Sequence, residues 1–166
     1  MPLKDDGFSI AIEFILVEEG GYTPGLPNDP GGETNFGISK RSYPNLNIKA
    51  LTADMAREIY RRDFWDALKL SELPLKVAVI VLDSAVNQGP QTAIKILQVA
   101  LGVAADGVLG PTTTKKAWTT TSGPLLQTIA AGRAIRYSIA PNFVTWGPAW
   151  MRRLFRIYTI ALLLGV

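Results

Sequence analysis

The sequence predicts a mainly α-helical single domain with a short loop or β-hairpin region near residues 20–40. Three observations carry this reading. Apolar residues recur at helical spacing along most of the chain, several prolines stand where helices should open, and glycine and proline crowd into one short stretch. The 166 residues are one domain's worth, and 48% hydrophobic against 19% charged residues excludes a disordered chain.

Taken in order, the first element is a helix over 8–19, whose apolar run from Phe8 to Val17 follows Asp5 and Asp6 and is interrupted by Glu13. Those acids, and the lack of a small-residue cleavage site, make it a buried helix and not an export signal. Residues 20–37 hold six of the 15 glycines and three of the 11 prolines, so they form irregular loop or a short hairpin. Loops of this length in a compact domain usually carry function. Thr52 is placed to cap a helix over 52–64. Pro74, Pro90, Pro111 and Pro124 each open an apolar-periodic stretch, giving helices near 74–87, 91–101, 111–119 and 124–139, with Gly102 closing the second of these four. A last helix is expected over 147–163. Its end, Ile157 to Val166, is ten residues, too short to span a bilayer, and is expected to bury Leu162 to Leu164 in the core.

Two zeros in the composition exclude much chemistry. Without His or Cys the chain has no His/Cys zinc site, no Ser-His-Asp or Cys-His nucleophile and no disulfide. No metal or other cofactor is expected, and carboxylates are left as the main proton carriers. Charge is uneven: residues 1–83 carry 9 basic and 13 acidic side chains, net −4, whereas 84–166 carry 8 basic and a single acid, Asp106, net +7. The single domain thus reads as an acidic half suited to chemistry and a basic half attracted to an anionic partner: nucleic acid, anionic lipid or cell-wall polymer.

Glu19 falls on the stripe of Phe8, Ile12 and Ile15, in the last turn before the glycine-rich loop. Partial burial and the negative end of the helix dipole both act against its charged form there, as a general acid requires. The same spacing also describes an acid that closes an amphipathic helix in solvent, as Glu18 does on this reading. Asp29, Glu33 and Thr34 lie 10, 14 and 15 residues further on, where a hairpin would bring them across a cleft. A protonated acid, an opposing carboxylate and a hydroxyl that holds a water are the equipment of glycoside hydrolysis. Spacing does not choose between Asp29 and Glu33.

Glu19-Gly-Gly-Tyr22 followed by Asn28-Asp-Pro-Gly-Gly-Glu-Thr-Asn-Phe-Gly-Ile38 resembles the N-terminal signature of glycoside hydrolase family 108, peptidoglycan muramidases found as phage endolysins and secretion-activator-like proteins. The resemblance continues through Ala56 to Tyr60, Phe64-Trp65-Asp66, Asp83 to Gly89, Leu97-Gln98, Leu101-Gly102 and Asp106 to Thr112, the later blocks being similar to the family's peptidoglycan-binding half. It departs from the family between Tyr22 and Asp29, where this chain is longer, and so leaves the second acid open.

The resemblance implies a lysozyme-like fold, Glu19 as catalytic acid and N-acetylmuramidase activity. A single-Glu lytic transglycosylase and a non-catalytic wall-binding protein are the alternatives. It further implies peptidoglycan glycan strands as partner, with no nucleic acid and no stable membrane insertion, and a monomer made in a host cytoplasm and released to the periplasm through a holin. Tyr22, Asn35, Tyr60, Trp65, Asn87, Gln88 and Tyr137 are the candidate substrate-binding residues, as aromatics for stacking or amides for N-acetyl groups. Arg152, Arg153 and Arg156 form a basic cluster beside Trp146 and Trp150, suited to anionic groups of the wall or to a solvated helix face.

Overall fold

The computed structural model describes residues 7–25 and 32–165. Among them are seven α-helices and one two-stranded antiparallel sheet: α1 (Gly7–Glu19), β1 (Thr34–Asn35), β2 (Ile38–Ser39), α2 (Ala53–Tyr60), α3 (Leu75–Gln88), α4 (Pro90–Leu101), α5 (Pro111–Thr119), α6 (Ser122–Ser138) and α7 (Phe143–Leu163). None of these helices is long and apolar enough to cross a membrane.

The centre is α3. Every residue from Val77 to Ala85 is buried, so this helix has no solvent face over more than two turns. It packs against α1, α4, α6 and α7. The change from acidic to basic half at residue 83 therefore falls inside the central helix.

Local chemistry explains most boundaries. Met55 N–H donates to Thr52 Oγ1, the cap expected there. Pro90 and Pro111 occupy first-turn positions of α4 and α5, where a missing N–H costs nothing. Gly102 takes a φ of 68°, and Val103 N–H reaches back to Gln98 O, which closes α4 in a left-handed turn. Buried Gln98 then organises the Asp106 to Thr113 block: its amide donates to Asp106 Oδ1 and Val108 O, and its oxygen accepts from Gly107 N–H.

Two boundaries differ from expectation. The helix expected over 52–64 is α-helical only to Tyr60 and continues as a π turn, Arg61–Asp66, that rolls Trp65 inward against the edge of Phe8 at 5.7 Å. The last helix starts at Phe143, upstream of Gly147-Pro148, and runs through Pro148. Asn142 O accepts from Trp146 N–H and Thr145 N–H, so a full turn forms before the proline interrupts the ladder.

The C-terminal leucines are the clearest correction. Ile157 and Ala161 are buried and Leu164 packs partly buried against the core, but Leu162 and Leu163 are exposed and do not fill it as expected.

Candidate active site

The end of the glycine-rich segment forms a short hairpin. Thr34 pairs with Ser39 and Asn35 with Ile38, around a two-residue turn in which Phe36 and Gly37 take φ values of 50° and 75°. Both central residues at positive φ describe a tight hairpin turn of the primed type, and Phe pays backbone strain to occupy it. Tyr60 OH holds the turn by donating to Phe36 O at 2.8 Å. Upstream, Thr23 and Thr34 exchange backbone hydrogen bonds.

This turn is pressed against Glu19. A Cβ on Gly37 would lie 2.7 Å from Glu19 Oε2 and 2.6 Å from Tyr60 OH, so Gly37 is required by its φ and by the space. Glu19 Oε1 accepts from an Arg153 guanidinium nitrogen at 2.7 Å, and the Glu19 side chain keeps 21% of its surface. The stripe of Phe8, Ile12 and Ile15 is buried as the helical wheel predicts, but at its end a cation reaches the acid from α7.

Behind Arg153 lies a buried chain of charge. Asp83, fully buried on α3, takes Arg153 Nε on Oδ1 at 2.8 Å and Arg133 on Oδ2 at 2.7 Å. Arg133 Nε donates to Gln88 Oε1 at 3.2 Å, and a second Arg133 nitrogen donates to Tyr137 OH at 3.1 Å. Tyr137 OH donates in turn to Asn87 Oδ1. Burial alone would lower the Arg153 guanidinium, but the charges of Asp83 and Glu19 outweigh it and hold it above its ordinary value. On the neighbouring turn Arg156 pairs with Glu18. Two of the three expected surface arginines are therefore engaged with acids, and Arg152 is left exposed.

The partners reinterpret the charge asymmetry. Arg133, Arg153 and Arg156 all pair with Glu18, Glu19 or Asp83, acids from residues 1–83. Much of the basic excess stitches the chain together and is not presented to a partner.

The other expected site residues separate into three groups. Tyr22 OH donates to Glu33 Oε2 at 3.1 Å, and this bond is the main cause that pushes the Tyr22 phenol upward. Glu33 and Thr34 are thereby anchored to the segment that leaves Glu19. Asp29 lies outside the described residues.

Asn87, Gln88 and Tyr137 do come together, with Trp150 and Arg136, around a cavity of about 200 Å³; Trp150 stacks on Tyr137 at 5.4 Å. Asn35, Tyr60 and Trp65 are corrections. Asn35 is buried and donates to Ile48 O and Leu51 O, Tyr60 is buried behind the Phe36-Gly37 turn, and Trp65 is a core residue. None offers a face to a sugar. A larger cavity, about 650 Å³ between α4 and α6, is lined by aliphatic side chains such as Ile96, Val99 and Ile135 together with Gln91, Lys95 and Arg136, and holds no carboxylate.

Two comparisons with known proteins find a relative of this chain. A sequence profile described as Glycosyl hydrolase 108 matches residues 12–89, which contain Glu19, the hairpin and Asp83. The chain is also similar to a solved structure titled "Structure of Brucella abortus SagA", at 32% identity over 93% of each chain with a TM-score of 0.83. The chain belongs to glycosyl hydrolase family 108. No curated protein matches significantly. Family 108 membership makes the protein a lysozyme-like glycoside hydrolase, with peptidoglycan as the substrate class.

Within this family 108 chain, spacing alone missed Gly37, Asp83 and Arg133, and it placed Arg153 in a basic cluster without its pairing to Glu19 and Asp83. One signal was available: Asp83 follows six apolar residues, Val77 to Leu82, and an acid in such a run needs a buried cation.

Proposed function

We propose that the protein is an N-acetylmuramidase that cleaves the β-1,4 bond between N-acetylmuramic acid and N-acetylglucosamine. The observation that carries this is Glu19 at the end of α1, gripped through Oε1 by Arg153 and faced at Oε2 by the Gly37 turn. In this reading Oε2 delivers a proton to the glycosidic oxygen as the bond from C1 to that oxygen breaks. Water then adds to C1, and its proton passes to a carboxylate. Glu33, held by Tyr22, and Thr34 supply that carboxylate and a hydroxyl to position the water; Asp29 is the other candidate for the carboxylate. The cavity among Asn87, Gln88, Tyr137 and Trp150 supplies amides and an aromatic surface for an N-acetylated sugar.

A role in lysing a bacterial host from the periplasm, after release through a holin, goes with this reading and rests on the family resemblance of the sequence blocks. So does action as a monomer without nucleic acid.

Mass spectrometry of products from purified peptidoglycan tests the reaction. A muramidase leaves reducing muramic acid ends, whereas 1,6-anhydro ends would replace the assignment with a transglycosylase. Intact glycan, with strands merely sedimenting with the protein, would leave a wall-binding role.

A further inference from the structure

The outer face of α7 is apolar where the core does not need it. Val144, Phe155 and Leu162 are 93%, 65% and 39% exposed. At about 100° per residue they fall within about 20° of one another, and at about 1.5 Å per residue the stripe they mark is about 27 Å long. Pro148 and Thr159 lie beside it on the same exposed face.

The charges that α7 itself carries have one sign. Arg152 lies about 80° round the helix from Val144, is exposed, and makes no ion pair among the described residues. Lys76 Nζ reaches Leu162 O at 2.9 Å and adds a second cation at the C-terminal end of α7. No Asp or Glu occurs after Asp106.

We propose that this face is a docking surface for an anionic lipid bilayer, on which α7 lies flat without crossing it. A stripe of Val, Phe and Leu on a helix that carries arginine and no acid of its own is the pattern of an interfacial helix: apolar side chains enter the acyl boundary and the cations meet lipid phosphates. A second copy of the chain fits less well. The stripe from Val144 to Leu162 is centred one residue from Arg152, so two helices paired over its full length, parallel or antiparallel, would bring their Arg152 side chains together near the middle. A glycan strand offers few apolar partners for Val144 and Leu162. The inference does not depend on the reaction proposed above.

The test is co-sedimentation of the full chain with vesicles of phosphatidylcholine alone and of phosphatidylcholine mixed with phosphatidylglycerol. Binding is expected to the anionic vesicles only, weakening as salt shortens the Debye length. Arg152→Gln should weaken it about fivefold, the scale of one cation near an anionic surface. Val144→Ser, Phe155→Ser and Leu162→Ser together should weaken it at least about tenfold, with hydrolysis of purified peptidoglycan unchanged as proof of folding. Equal binding to both vesicle types, no binding to either, or a triple variant that binds as wild type would each overturn the proposal. A concentration-dependent dimer in sedimentation velocity that the triple substitution abolishes would overturn it in favour of a self-association face.

Discussion

Replacing Arg153 by Met tests the buried charge chain directly. The substitution keeps much of the side chain's length and removes its charge from between Glu19 and Asp83, a site where the arginine retains only 8% of its surface. Removing one partner of a buried ion pair costs about 3–5 kcal/mol. Here Asp83 keeps Arg133 at 2.7 Å, and Glu19 is exposed enough for water to take over part of the lost contact, so the expected cost is at the lower end, about 3 kcal/mol. For a chain of this size that lowers the melting temperature by about 6–12 °C. Circular dichroism melts of Arg153→Met, Arg152→Met and wild type measure it, the neighbouring exposed arginine being the matched control. Asp83→Asn should cost more, near about 5 kcal/mol, because two buried guanidinium groups then lose one carboxylate. A melting temperature for Arg153→Met within about 2 °C of wild type would refute the reasoning, since the ion pairs would then contribute nothing beyond their own desolvation.

Other outcomes follow from the same geometry. Glu19→Gln should abolish lysis of outer-membrane-permeabilised cells while costing less than about 1 kcal/mol in a melt, because Arg153 stays on Asp83 and the amide oxygen still accepts; Glu18→Gln should retain most activity. Glu33→Gln should lower turnover on purified peptidoglycan by at least about a hundredfold, the scale of a lost acid–base group, and Asp29→Asn should not; the reverse result would move the second carboxylate to Asp29. Gly37→Ala should cost at least about 1 kcal/mol for its left-handed backbone, and should remove activity because its Cβ displaces Glu19 or Tyr60; a crystal structure with Glu19 unmoved and full activity would contradict the packing. At alkaline pH, unfolded phenols ionise near 10.0, whereas burial and then the bond to Asp63 push Tyr43 up to about 12, and burial raises Tyr60 as well. Stability should therefore fall as pH rises from 10 to about 12, because the unfolded state releases its protons first. Denaturant titrations across that window, with tyrosinate absorbance, read this out, and a flat profile would contradict it.

The features legible in the sequence are those fixed within one or two helical turns. Thr52, Pro90, Pro111 and Gly102 act on neighbouring backbone groups, so their positions predict helix ends well. Glu19 was legible as a candidate for the same reason: the register of Phe8, Ile12 and Ile15 sets which face of α1 it joins. Arg153 was not, because its contacts to Glu19 and Asp83 span 134 and 70 residues, and no local periodicity encodes such a meeting. Tyr60 and Trp65 misled because an aromatic at helical spacing looks alike whether it faces a sugar or the core. Here the π turn at Arg61–Asp66 decided, by turning Trp65 under Phe8. Leu162 and Leu163 misled in the opposite sense: hydrophobicity predicts burial only where another element is present to cover it.

The ion pairs that cross from Arg133, Arg153 and Arg156 to Asp83, Glu19 and Glu18 bear on protein engineering. In this chain a graft of residues 84–166 onto another protein's N-terminal half would carry buried arginines without their carboxylates, and the retained half would keep Asp83 in an apolar helix with no cation to meet it. Useful chimeras should therefore exchange exposed surface, such as Arg152 or the outer face of α7, and leave the seam through α3 intact.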